Sequence, residues 1–362
     1  MPMNKRQTIT SLIMTILIAV FMVFSPKYIM SSRSLLTLQR NEENTEEYQG
    51  IIHVWHMVGF KPYRGSLGSW VSNAAKQLEK RHSGVYLEVD SITMEEYEAR
   101  IARGEQPDVF SYPLGCVYAE QLCELTTEIP ALRGNLTGTG RYDGRMYGVP
   151  YAASGYLLVH NQRLMQEKGA DAESISDILK SGEAESAGDP VQACIWGVTG
   201  EMRTVEDFLE EKAVSAFMDA RAAGDLFQKV QNGKGFPFET VSCSNYSDLV
   251  QLIGVNINIE ADKLPYIYEF IDLCLKEENQ RELMSIGLMP AIAEIKREKA
   301  EDEAVEQLFN ELEDIAAPNS FLYKTYREQL QISAVESMRG SASAKKDLDL
   351  RLTELVRGAA IK

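Results

Sequence analysis

Four histidines and five cysteines are all that this 362-residue chain offers for thiol or soft-metal chemistry. The cysteines, Cys116, Cys123, Cys194, Cys243 and Cys274, contain no C-x-x-C pair, so neither a zinc site nor a dithiol redox couple is spelled out. Buried or weakly exposed thiols are the expectation for all five, and Cys116 could pair with Cys123 if the chain lies outside the cell. Carboxylates are abundant, yet no pair falls at recognisable catalytic strand ends. No Ser/His/Asp or Cys/His grouping emerges, and no G-x-x-x-x-G-K-[ST] loop is present. The expectation is a chain that is not an enzyme and carries no metal and no cofactor. What remains is recognition chemistry, in which rings, amides and hydroxyls sit at the ends of apolar runs, as Trp55 with His56 and Ser111 with Tyr112 do.

Those residues need elements to hold them. "IIHVW" is a short apolar run. "SWVSNAAKQLEKRHSG" places Trp70, Ala74, Ala75 and Leu78 on one helical face with Gly84 as a stop, and "VYLEVDSI" alternates as a strand does. "MEEYEARIARG" is helical through Met94, Tyr97 and Ile101, and "PDVFSY" is another short strand. This β-α-β-α-β order predicts a parallel sheet with helices on its faces, and in such sheets ligands gather at the carboxyl ends of the strands. A helix is expected over "CVYAEQLCELT", and later segments such as "KLPYIYEFIDLCLKEENQRELMSIG" and "AKKDLDLRLTELVRG" are helical in pattern.

Charge narrows the partners. With 53 acidic against 37 basic residues the formal charge is -16, which argues against nucleic acid, whose affinity rests on Lys/Arg neutralisation of phosphate. At the N-terminus, Lys5 and Arg6 precede an uncharged stretch from Thr8 to Phe24, the pattern of a signal core or a short membrane helix. Ser25 followed by Pro26 is a poor cleavage site, so an uncleaved anchor is expected, with residues 1–30 in the membrane, a polar tether over 31–50, and the body outside the cell.

The order of these pieces resembles the maltose-type, family 1 extracellular solute-binding proteins of bacterial ABC transporters. The resemblance rests on "IIHVWH", on "AAKQLEKRHSGVYLEV", on "GEQPDVF" and on "YDGRMYGVPYAASGYLLVHNQRLMQEKG". It continues through "EEKAVSAFMDARAAGDL", "KLPYIYEFIDLCLKEENQRELMSIGLMPA" and the closing "AVESMRGSASAKKDLDLRLTELV". It implies an α/β, two-lobed fold of the periplasmic-binding-protein type II. Lobe 1 would be 51–152 with 254–315, and lobe 2 would be 153–253 with 316–362, joined by crossing strands near Pro150 and Gly254. It also implies a sugar held by lobe closure and separate ABC permease subunits as partners. Two departures stand out. No cysteine follows the apolar segment, so no lipid anchor is expected, and the section between Lys168 and "EEKAVSAF" is shorter than is usual in the family. A sensor or structural module on the same fold is the alternative.

Sugars bind through flat apolar faces that stack on aromatics and through hydroxyls that need donors and acceptors. The candidate residues for the cleft are Trp55, His56, Tyr112, Tyr151, Ser154, Trp196, Arg221, Asn245 and Tyr246, Trp196 standing in the shortened section with no family motif to align it. For Trp55 and Trp196 a place in the core competes with a place in the cleft. For Arg221 a surface salt bridge competes with a ligand contact, and for His56 a satisfied structural bond. Asp108, at the start of a strand, is expected to hold backbone N–H groups rather than a ligand.

Overall fold

The computed structural model describes residues 48–171, 174–241, 243–296 and 303–360, so the apolar N-terminal stretch and the tether lie outside the described residues. Among the described residues no helix is long and apolar enough to cross a membrane. The chain divides into two units. Among the described residues the smaller comprises Tyr48 with Glu260–Leu264, where Lys263 Nζ lies 5.9 Å over the Tyr48 ring and 3.4 Å from Glu260. The larger, Gln49–Ile259 with Pro265–Lys362, holds a six-stranded sheet, a five-stranded sheet and a two-stranded ribbon.

The first three strands of the larger unit are β1 (Gly50–Met57), β2 (Val85–Ile92) and β3 (Val109–Pro113), and they pair in parallel with β1 in the middle. The crossover helices are the ones the periodicity predicts. Leu67–Glu79 starts where the Ser66 hydroxyl accepts the Ser69 N–H at 3.3 Å, and it buries Trp70, Val71, Ala74, Ala75 and Leu78 on one face. Met94–Ala102 is capped by Thr93, with Glu95 and Glu96 in the first turn favouring the positive end of the helix dipole. Asp108 behaves as expected, its carboxylate accepting the His53 N–H at 2.9 Å. The helix expected over Cys116–Thr126 does not form beyond a short turn at Ala119–Gln121. The chain there spends its N–H groups sideways, Cys123 on the Val255 carbonyl and Leu125 on that of Met146.

Next comes the ribbon of β4 (Arg141–Tyr142) and β5 (Arg145–Met146). Its two-residue turn, Asp143 and Gly144, has φ of 49° and 76°, the left-handed pair that an Asp-Gly hairpin adopts. β6 (Val149–Ala153) then enters the first sheet, and β7 (Tyr156–Asn161) enters the second. The second sheet runs β11-β7-β10-β8-β9, with β8 (Ser186–Gly188), β9 (Met202–Arg203), β10 (Ser215–Asp219) and β11 (Phe238–Val241). β12 (Val250–Val255) returns to the first sheet between β3 and β6, and β13 (Met289–Pro290) closes its edge.

Among the described residues the chain therefore changes sheet twice, at Ser154–Gly155 and again between β11 and β12. Pro150 and Gly254 lie inside strands of the first sheet, Gly254 opposite Phe110. The two crossings are tied together: the Ser154 N–H donates to the Leu249 carbonyl at 2.7 Å, and the Ser247 hydroxyl donates to the Ser154 carbonyl at 2.6 Å. The helix Ser320–Met338 runs alongside. Its first residue accepts the Gly115 N–H after β3, and its end accepts from Cys194 and Gly200 beside the second sheet. All five cysteines are free, so Cys116 and Cys123 are not paired.

Candidate functional site

β1 runs two residues past the "IIHVW" run, and that extension moves the expected site residues inward. Trp55 is 5% exposed and lies between the first sheet and the helix Met94–Ala102. Its ring meets Tyr97 edge-on at 6.4 Å, with the Arg100 guanidinium 5.1 Å above. Tyr112 and Tyr151 are fully buried. Tyr151 stacks on Trp70 at 5.3 Å with 6° between the planes, while a Cβ at Gly148 would fall 2.1 Å from the Tyr112 hydroxyl oxygen. Three of the expected platforms are thus core residues.

His56, Ser111, Tyr151 and Gln251 form one buried polar network. Ser111 Oγ lies 2.9 Å from His56 Nδ1, 2.8 Å from the Tyr151 hydroxyl and 3.3 Å from Gln251 Nε2, which also donates to the Met57 carbonyl at 3.0 Å. Burial pushes the His56 imidazole down to about 4, so it is neutral at physiological pH and acts as a structural partner. Its role is to satisfy the inside of the sheet.

The remaining expected residues spread out. Ser154 is buried in the first crossing. Trp196 is half-buried, edge-on to Phe217 at 6.3 Å with Lys180 Nζ 5.2 Å from its ring. Asn245 donates to the Asp314 carbonyl at 2.9 Å, and Tyr246 is buried. Of the set, Arg221 alone lines the cleft described next.

A cavity of about 340 Å³ opens where the carboxyl ends of β1 and β10 face each other, lined by Val58, Gly59, Phe60 and Lys61 from one sheet and Asp219 and Arg221 from the other. This is the position that the strand-end rule for α/β sheets designates. Asp219 ends β10 and caps the helix Ala220–Gln231 by accepting the Ala222 N–H at 2.8 Å, and Arg221, in the first turn, holds its Nε 3.3 Å from Asp225 one turn further on. Lys61 is exposed. Nearby the two lobes touch. Tyr63 lies between Gly287 and Gly224, and a Cβ at Gly224 would meet its ring at 3.0 Å. Glycine inside a helix is unfavourable, and here the close approach of Tyr63 accounts for it. Phe60, Lys61 and Asp219 were missed from sequence. The available signal was "HMVGFKP", where Gly59 and Pro62 break the chain straight after a strand.

No protein-family model matches the chain, and no curated protein matches it. Solved structures do. The cyclic alpha-maltosyl-1,6-maltose binding protein of Arthrobacter globiformis aligns with a TM-score of 0.62 and 16% identity, over 86% of this chain and 100% of its own. The GacH receptor of Streptomyces glaucescens, solved unliganded and with acarbose, aligns with a TM-score of 0.59 and 12% identity, over 86% of this chain and 99% of its own. A maltodextrin binding protein of L. casei gives 0.59 and 11%, over 87% and 100%. At these identities the likeness is one of fold: the chain has the two-lobed α/β fold of the maltose-type solute-binding proteins, as the resemblance implied.

Proposed function

We propose that this chain is the solute-binding component of an ABC importer, held outside the cytoplasmic membrane by its N-terminal segment, and that it takes a short saccharide between its two sheets. The observation that carries this reading is the cleft lined from both sides by Val58–Lys61 and by Asp219 and Arg221. Its size lies at the lower end of the roughly 300–1,000 Å³ typical of ligand pockets. It offers donors in Lys61 and Arg221 and an acceptor in Asp219, which is what a hydroxyl-rich ligand needs once water is excluded. A ligand touching both sheets favours the closed arrangement over the open one, because only the closed state makes both sets of contacts. The permease and ATPase are then separate chains.

Calorimetric titration with mono-, di- and trisaccharides is expected to give saturable binding that Lys61→Ala and Arg221→Ala each weaken about tenfold or more, the effect of a lost charge-assisted hydrogen bond. A folded chain that binds no sugar in the panel would exclude this reading. The burial of Trp55, Tyr112 and Tyr151 favours a second one, since it removes three rings a sugar would stack on. On that reading the chain is a sensor or structural module on the same fold, and it would be recovered with an envelope partner but without permease subunits.

A further inference from the structure

Where the chain crosses between the sheets, two carboxylates and three tyrosines converge from four elements. Asp248, in the second crossing, accepts the Tyr156 hydroxyl from the start of β7 at 2.8 Å, and it also accepts the Tyr323 hydroxyl from the helix Ser320–Met338. Asp189, at the carboxyl end of β8, caps the helix Pro190–Trp196 by accepting the Gln192 N–H at 2.8 Å. It faces both Asp248 and the side-chain amide of Gln331. Tyr246 is buried and faces both aspartates. Tyr323, Arg327 and Gln331 share one stripe of their helix at intervals of four residues. The cations of that helix do not neutralise the pair: Lys324 Nζ donates to the Cys116 carbonyl at 2.9 Å, and Arg327 is exposed beside Tyr323.

We propose that this cluster is a proton-operated clamp on the joint between the two sheets. With Asp189 protonated, the second crossing, β7 and the helix Ser320–Met338 are held together through Asp248; once Asp189 ionises, its repulsion from Asp248 loosens the joint. Enclosure pushes the Asp189 carboxyl up to about 6, and the Asp248 charge adds to the effect. The folded form therefore binds a proton more tightly than an unfolded aspartate does, and the clamp is strongest below pH 6 and relaxes as pH rises through that value. His56 and His160, both held near 4 by burial, stay neutral in the folded chain across this window and are bonded to Ser111 and Ser215 rather than to the aspartate pair, so their linkage bears on global unfolding. The clamp acts on whatever solute the cleft takes, because it bears on the joint and not on the cleft lining.

Amide hydrogen exchange of the full chain in detergent, followed by mass spectrometry at pH 5.5 and 7.5 and corrected for intrinsic rates, tests this. Peptides covering 153–157 and 246–250 are expected to open about fourfold more at the higher pH, which is what a carboxyl held near 6 yields between these two pH values. Asp189→Asn keeps an oxygen to cap its helix and is expected to abolish that pH response, leaving both peptides protected. Tyr323→Phe lowers protection at both pH values. Asp248→Asn, which removes the repulsion from the other side, carries the same test if Asp189→Asn fails to fold. Equal opening of the native chain at the two pH values, or a full pH response surviving in the asparagine variants, would overturn the proposal.

Discussion

Replacing Trp55 with alanine is expected to cost about 3–5 kcal/mol of folding stability, the usual loss for a large aromatic removed from a core, while leaving solute affinity unchanged. The indole is 5% exposed, edge-on to Tyr97 and under the Arg100 guanidinium, and Tyr97 in turn meets Phe110 edge-on at 6.5 Å. Its removal leaves a cavity between the sheet and the helix Met94–Ala102, and neither element can collapse into it without giving up backbone pairing. The urea midpoint reads the first effect and a saccharide titration the second. A variant that keeps its stability and loses affinity would restore Trp55 as a binding platform and move the cleft away from Val58–Lys61.

Acid should weaken the fold. His56 and His160 both sit at about 4, driven down by burial, against an ordinary value of 6.5. Between those values the unfolded chain holds protons that the folded chain does not, so this contribution is complete above pH 6.5 and is lost as pH falls toward 4. Going from pH 7 to 4.5, the two histidines together lose about 5 kcal/mol, and the raised Asp189 carboxyl, which acts with the opposite sign, returns at most about 2. The net expectation is about 3 kcal/mol less stability at the lower pH, read as a shift of the urea midpoint at constant slope. Stability that is flat or rises on acidification would mean that these imidazoles are solvated.

Much of the first lobe was legible because its strands and helices follow one another with clean periods. The run from "IIHVW" to "PDVFSY" folds as β-α-β-α-β because Ser66 and Thr93 mark helix starts and apolar spacing marks their inner faces. Three things were not legible, each for a physical reason. β3 is buried on both faces, so no alternation in its sequence says which side of Tyr112 faces solvent. β1 extends to Met57, a difference of two residues that carries Trp55 and His56 inside the sheet and hands the cleft to Val58–Lys61. The segment after Cys116 has helical spacing, but its N–H groups find carbonyls in β12 and β5, and long-range pairing overrides local propensity. Arg221 was found, and Asp219 two residues earlier was not. Its capping role is visible only once β10 is seen to end there.

The central claim is that one small solute is gripped from both sheets at once. Its most direct test is hydrogen exchange of the full chain with and without the tightest-binding saccharide of the titration series. The account predicts that amides of 57–63 and of 217–224 gain protection together and at the same ligand concentration. Protection confined to one of these segments, or appearing elsewhere on the molecule while both stay unchanged, would contradict it.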